Sequence, residues 1–146
     1  MYLAIFTSIV GMLIAPGQLS FINAFLAILA ISIGSGAAGA LNMWYEIDTD
    51  KLMDRTKDRV LPSGLISARG ALIFGFLLSI ISIILLYSVS NLFAAGLLGF
   101  TILYYVLIYT VWLKKRTPQN IVIGGAAGAF PPMIGWSAVT GSLSAE

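Results

Sequence analysis

Long apolar runs, separated by short polar connections, dominate the chain. Five of them approach the roughly 20 residues that a membrane-spanning helix needs, and they cover residues 1–15, 21–45, 70–90, 92–113 and 119–139. Each is predicted to form a helix. The first is shorter than a full span and lacks the basic start and cleavage site of a signal peptide, so we interpret it as a transmembrane helix whose beginning is missing. The pattern predicts an all-α integral membrane protein, with a bundle of helices in the lipid bilayer.

The basic residues are confined to two of the connections. All eight lie between the second and third runs or between the fourth and fifth: Lys51, Arg55, Lys57, Arg59, Arg69, Lys114, Lys115 and Arg116. Two crossings separate these connections, so both lie on the same side of the membrane, and the positive-inside rule assigns that side to the cytoplasm. A missed helix would have placed basic loops on both sides, so the charges support the predicted topology.

The composition narrows the chemistry. The chain is 59% hydrophobic and 10% charged, which leaves too little polar surface for a soluble domain. It contains no His and no Cys, which excludes imidazole catalysis, thiolate chemistry and the usual zinc sites. Any metal must therefore be held by oxygen ligands. The net charge of +2 says little about partners, and no nucleic-acid partner is expected.

A polar stripe is predicted at the end of the second helix. Asn42, Glu46 and Asp50 are spaced four residues apart, so at 100° per residue they lie along one helix face. Asp48 lies about 200° from both carboxylates on a continuous helix, which gives it a lesser role or none at a metal. Ionisable groups at the end of a membrane helix are costly and usually functional. The stripe is therefore the main candidate for a catalytic site.

The stripe favours a magnesium site that includes a phosphate ligand. Two carboxylates four residues apart repel each other and attract a cation. Mg²⁺ is commonly bound through one or two carboxylates together with phosphate oxygens of a substrate, and Glu46 and Asp50, with Asn42 beside them, match that preference.

Basic residues on the same side of the membrane are candidates for the phosphate. They are Arg55, Lys57 and Arg59 after the stripe and Lys114, Lys115 and Arg116 in the later loop. Such side chains bind phosphate oxygens through charge-assisted hydrogen bonds. The alternative is that these residues form solvated loops that only anchor the topology.

At this point the chain resembles a known family. The pattern is Asn42-x-x-x-Glu46-x-x-x-Asp50 followed by Met53-x-Arg55-Thr56-x-x-Arg59. It resembles the first aspartate-rich motif of the UbiA-type prenyltransferases, in the form carried by the protoheme IX farnesyltransferase subfamily. The segments 40–45, 116–120, 124–125 and 131–132 are similar to the same subfamily, so the resemblance extends over essentially the whole chain. Many members carry Asp at the position of Glu46, a change that keeps the charge.

The resemblance implies a fold and a reaction. The expected fold is a nine-helix bundle around a lipid-accessible cavity, with two acidic motifs that hold Mg²⁺ and a prenyl diphosphate at the cytoplasmic face. This chain would contain about the first half and one motif, and alone it is expected to be inactive. The implied reaction transfers farnesyl from farnesyl diphosphate to a vinyl group of heme B, giving heme O. A bacterial inner membrane is the expected location, because no transit peptide is visible.

Two other functions remain open at this stage. The first is a UbiA-type enzyme with another aromatic or tetrapyrrole acceptor, since spacing does not reveal the acceptor. The second is a non-enzymatic scaffold or a channel with the stripe in its pore. A pore would be expected to continue the polar stripe through the membrane, whereas this stripe stops at Asn42.

Overall fold

The protein, seen in a computed structural model, is described for residues 2–113, 124–125 and 127–143. Over these residues the chain is helical and contains no β-strand, which confirms the predicted all-α class. The helices, numbered along the chain, are α1 (Tyr2–Ile14), α2 (Phe21–Tyr45), α3 (Ile47–Lys51), α4 (Ala68–Val89), α5 (Leu92–Leu103), the π-helix π1 (Tyr104–Leu113) and α6 (Phe130–Thr140).

Polar side chains define where three helices begin. Ser20, Ser67 and Asn91 each accept a hydrogen bond from the backbone N–H three residues further on, at 3.2, 3.1 and 2.8 Å. Such N-caps satisfy amide groups that have no partner inside the helix. The caps explain why α4 begins at Ala68, two residues before the apolar run that indicated it.

Three helical segments have the length and composition of membrane spans. They are Phe21–Tyr45, Ala68–Val89 and Leu92–Trp112, of 25, 22 and 21 residues. At about 1.5 Å per residue, the two segments that are α-helical throughout, Phe21–Tyr45 and Ala68–Val89, exceed the roughly 30 Å of the hydrocarbon layer. α1 is apolar but shorter. Many of the outward-facing side chains are large and apolar, as expected where lipid rather than water surrounds the helices. The chain therefore has the character of an integral membrane protein.

The helices pack closely where one of them presents a glycine. α2 and α4 form the most extensive contact, and a Cβ added to Gly75 would lie 2.8 Å from Leu41 Cγ. α1 and α6 approach each other so closely that a Cβ on Gly11 would overlap the backbone of Pro132. Small residues commonly let membrane helices approach in this way, because dispersion contacts drive helix association in lipid.

The last part of the described chain differs in detail from the apolar pattern. The fourth run changes from α-helix to π-helix at Tyr104 and continues to Leu113. In the fifth run, residues 119–123 lie outside the described residues, and α6 begins at Phe130 with Pro131 in its first turn. Proline is tolerated there because the first amide groups of a helix have no intrahelical acceptor.

Candidate functional site

The three residues of the polar stripe lie together at the end of α2. Backbone hydrogen bonds link them in sequence, from Glu46 N to Asn42 O at 3.1 Å and from Asp50 N to Glu46 O at 2.8 Å. Four-residue spacing of these bonds keeps the side chains on one helical face. Glu46 is 6% exposed and Asp50 is 4% exposed, whereas Asp48 is exposed. The structure therefore separates Asp48 from the two carboxylates of the stripe.

The helix is not regular at Glu46. The residue lies between α2 and α3, and its backbone angles are φ −95° and ψ 5°, outside the usual helical values. The residue sits in the sparsely populated bridge region, where many active-site residues are found. The short helix α3 then carries Asp50 into the loop between α2 and α4. The carboxylates thus stand at the junction of a membrane helix and a polar loop.

Asn42 connects the stripe to π1. Its amide nitrogen donates to Glu46 Oε2 at 3.1 Å, and its amide oxygen lies 2.9 Å from the hydroxyl of Thr110. A carboxylate can only accept hydrogen bonds, so the NH₂ group of Asn42 must face Glu46. The Asn42 amide thus holds the Glu46 carboxylate in one orientation through a direct hydrogen bond.

Asp50 is held by the loop that follows it. Arg59 Nη1 donates to Asp50 Oδ2 at 3.0 Å, and the Arg59 side chain is 41% exposed. The buried hydroxyl of Thr56 donates to the backbone oxygen of Asp50 at 3.0 Å. An arginine and a carboxylate that sequence reasoning assigned to different ligands, a phosphate and a metal ion, are therefore paired with each other here. The pair supplies an ionic partner for a carboxylate that would otherwise be costly to bury.

The other predicted basic residues differ from Arg59. Lys57 pairs with Asp54 at 2.8 Å on the open surface of the loop, and Arg55 is exposed. Lys114, Lys115 and Arg116 lie outside the described residues. Arg59 is therefore the predicted phosphate ligand that the described structure brings to the stripe.

A cleft opens beside the stripe. It has a volume of about 510 Å³ and is lined by Gly39, Asn42, Met43, Asp58, Arg59 and Val60. One wall comes from the last turns of α2 and the other from the polar loop. The cleft thus combines an amide, a carboxylate and a guanidinium group with apolar surface from the membrane helix, so it presents polar groups at one end of an apolar site.

The donor set fits a shared metal site better than a closed protein cage. No group of three or more Asp, Glu, His or Cys side chains clusters among the described residues. Glu46 and Asp50 supply carboxylate oxygens on one face, which suits Mg²⁺ when a substrate phosphate and water complete its shell. A metal that needs four or more protein ligands would find too few here.

Sequence reasoning missed two threonines. Thr110 contacts Asn42, and Thr56 fixes the loop beneath Asp50. Thr56 belongs to the motif that carries the family resemblance, which was a signal for it. Thr110 lies near the end of an apolar run with no polar pattern around it, and only the packing of π1 on α2 reveals its contact with Asn42.

Comparison with known sequences identifies the family. Residues 4–146 match the UbiA prenyltransferase family. The chain is 57% identical to a protoheme IX farnesyltransferase of Bartonella henselae and 58% identical to one of Sinorhizobium fredii. Each alignment covers all 146 residues of this chain, but 47% and 46% of the relatives. The chain thus spans about half the length of these curated relatives. No solved structure matches it.

Proposed function

Because this chain belongs to the UbiA prenyltransferase family, we propose that its full-length protein is the enzyme that farnesylates protoheme IX. The substrates are farnesyl diphosphate and heme B, and the product is heme O. The names of relatives that are 57% and 58% identical support the acceptor. The proposal concerns the whole protein, since this chain covers about half of those relatives.

One observation carries the proposal: two buried carboxylates share one face at the end of an apolar helix. Glu46 and Asp50 are 6% and 4% exposed, and such groups in a membrane protein mark ion or substrate sites. A scaffold has no need to bury two acids beside an open cleft. A diphosphate ester with a long apolar chain matches a cleft that is polar at one end and continuous with membrane helices.

The proposed reaction breaks the bond between farnesyl C1 and the diphosphate oxygen. C1 then forms a bond to the terminal vinyl carbon of heme B, and water adds to the other vinyl carbon and loses a proton. Diphosphate takes away the bonding electron pair of the broken bond. The apolar helices shelter the allylic cation from early capture by water. The polar groups of the site then act on the negative charge of the departing diphosphate.

Mg²⁺ is the proposed cofactor, with Glu46 and Asp50 as its carboxylate ligands. When bound, it supplies positive charge to the departing diphosphate. Asn42 orients Glu46 through its amide N–H. Arg59 is able to leave its ion pair with Asp50 and bind a diphosphate oxygen instead, because its side chain is partly exposed and lines the cleft beside the stripe. Arg55, Lys57, Lys115 and Arg116 stay predictions as further diphosphate ligands.

We place the site on the cytoplasmic face of a bacterial inner membrane. The support is the positive-inside rule: the connection that carries Arg59 also has Lys51, Arg55 and Lys57, and Arg69 follows in the first turn of α4, whereas the connection between α4 and α5 carries no charge. Cytoplasmic access suits a soluble diphosphate product that has to leave the membrane.

The test is heme O formation by membranes that contain the full-length protein, supplied with heme B, farnesyl diphosphate and Mg²⁺. Glu46→Gln and Asp50→Asn remove one charge each at nearly constant volume. We expect each to lower the rate by at least about 100-fold, as when a group that stabilises transition-state charge is lost. Asp48→Asn is the matched control, because it makes the same change two residues away on an exposed face. Its rate should stay within about 2-fold of wild type.

The outcomes separate the parts of the proposal. If the well-expressed wild type prenylates a different ring, the chemistry stands and the acceptor is wrong. If Glu46→Gln and Asp50→Asn behave like Asp48→Asn, the carboxylate site is wrong. If nothing is prenylated, the scaffold or channel interpretation replaces the enzyme.

A further inference from the structure

Thr110 is a polar side chain that the proposed reaction does not use. It is 1% exposed and lies in π1 among apolar residues. Its hydroxyl oxygen is 2.9 Å from Asn42 Oδ1 and 2.9 Å from the backbone oxygen of Tyr105. Both of these atoms can only accept, so the single hydroxyl proton of Thr110 is shared between them.

We propose that Thr110 is a positioning residue that fixes Asn42, and through it the carboxylate of Glu46, for binding of a divalent cation. This inference rests on the proposed function. The hydrogen bonds run in one direction, from the Thr110 hydroxyl to the Asn42 oxygen and from the Asn42 NH₂ group to Glu46 Oε2. Thr110 therefore acts on the proposed metal site through Asn42.

The orientation of Asn42 has a chemical consequence. Its amide oxygen faces Thr110, so Asn42 serves the carboxylate rather than offering that oxygen to the cation. With the hydroxyl removed, the Asn42 side chain loses its anchor on π1 and can rotate away from Glu46. The Glu46 carboxylate would then lose the hydrogen bond that sets Oε2, and part of its preorganisation for the metal would be lost.

The π-helix supports the same interpretation. π-helical turns are uncommon and frequently occur at functional sites, and π1 begins at Tyr104 and covers the segment that faces Asn42. A second, longer link lies next to the first: the Tyr45 hydroxyl is 3.5 Å from the backbone oxygen of Val111. Thr110 and Val111, consecutive residues of π1, thus contact the end of α2 at Asn42 and at Tyr45.

The test measures cation affinity directly, with Mn²⁺ as the probe. Full-length protein in lipid nanodiscs is titrated with Mn²⁺ in the presence of inorganic diphosphate, and free Mn²⁺ is followed by electron paramagnetic resonance. We expect Thr110→Val to raise the Mn²⁺ dissociation constant on the order of 10-fold, the lower part of the range for outer-shell partners. Thr110→Ser keeps the hydroxyl and should stay within about 2-fold of wild type.

A double-mutant cycle distinguishes positioning from packing. In an Asn42→Ala background, Thr110→Val should change the affinity by less than about 2-fold, because its route to Glu46 is gone. An equal loss in both backgrounds would show that Thr110 supports only the contact between helices. If Thr110→Val fails to fold, Thr110→Ala takes its place in the same cycle.

The inference and the proposed function fail in different ways. Unchanged affinity in Thr110→Val, with Mn²⁺ binding lost in Glu46→Gln, would overturn the role of Thr110 and leave the site intact. Mn²⁺ binding that survives Glu46→Gln would overturn the proposed metal site itself.

Discussion

Asn42 and Asn91 both join neighbouring helices, but they lie at opposite ends of the α2–α4 pair and have different partners. Asn91 bonds chiefly to the backbone: Oδ1 accepts from Ala94 N at 2.8 Å, and Nδ2 donates to Ser137 O at 2.8 Å and to the hydroxyl of the adjacent Ser90 at 3.0 Å. Asn42 bonds to the hydroxyl of Thr110 and, unlike Asn91, to a carboxylate, that of Glu46. The same residue type therefore stabilises the fold at one end and orients an acid at the other.

Cavities show the same contrast between the two ends. The larger one, about 680 Å³, lies at the Asn91 end, and its other lining residues are apolar or glycine: Leu92, Phe93, Gly96, Leu97, Phe100 and Gly141. The smaller cleft of about 510 Å³ includes Asp58 and Arg59. Cavity size alone would favour the end that lacks the proposed site. What distinguishes the smaller cleft is its charged side chains, because charged residues inside a membrane protein usually mark a ligand site.

The sharpest test of this contrast is Asn42→Ala in the full-length protein. We expect heme O formation to fall by about 100-fold, because Glu46 loses the donor that orients it. Unfolding by SDS in mixed micelles should change by at most about 1 kcal/mol, the usual scale of a polar contact between membrane helices. A large loss of stability with normal turnover of the folded enzyme would assign Asn42 to the structural class of Asn91.

Arg59→Gln comes next in expected size, with Arg69→Gln as its matched control. Arg59 pairs with the buried Asp50 and lines the cleft, whereas Arg69 is exposed in the first turn of α4 and is not a proposed ligand. Loss of a charge-assisted hydrogen bond to the diphosphate should raise the KM for farnesyl diphosphate by about 10-fold in Arg59→Gln. Arg69→Gln should change that KM by less than about 2-fold. Equal KM values for the two variants would contradict an exchange of Arg59 between Asp50 and the substrate.

The long apolar helices and the polar stripe could be predicted from the sequence for physical reasons. A membrane helix needs a long apolar run, so runs such as 21–45 reveal themselves. The four-residue spacing of Asn42, Glu46 and Asp50 follows directly from the pitch of a helix. The irregular backbone at Glu46 was not predicted, yet it left the stripe in place because the hydrogen bonds across it keep their four-residue spacing.

Other parts of the site depend on interactions that no local pattern encodes. The loop that carries Arg59 has no helical periodicity, so its pairing with Asp50 could not be derived. The change from α5 to π1 occurs within one uninterrupted apolar run, without a proline or a charge to mark it. Thr110 gains its role only when π1 packs on α2, and such contacts between distant segments require the folded arrangement.

At the other end, Asn91→Ala should reverse the pattern of Asn42→Ala. It removes the N-cap of α5 and the hydrogen bonds to α6, so we expect a loss of about 1–2 kcal/mol in the free energy of unfolding. The rate per folded enzyme should stay within about 2-fold of wild type, since no group at this end reaches the carboxylates. The measurement pairs SDS unfolding with heme O assays at a temperature where the variant is folded. Intact stability with lost activity would mean that the two ends are coupled.

The smallest expected effect is a difference in stability between variants of two neighbouring serines, Ser90 and Ser88. Ser90 donates to the backbone oxygen of Ala138 in α6 at 2.9 Å, whereas Ser88 donates within its own helix to Leu85 O at 2.8 Å. Ser90→Ala should cost about 0.6 kcal/mol, the average for a hydrogen bond between membrane helices. Ser88→Ala should be neutral or stabilising by up to about 0.5 kcal/mol, because alanine is the better helix former. SDS unfolding of both variants therefore tests whether the change in the free energy of unfolding differs in sign. If both variants lose the same stability, the hydrogen bond from Ser90 to α6 contributes nothing beyond the local effect of the substitution.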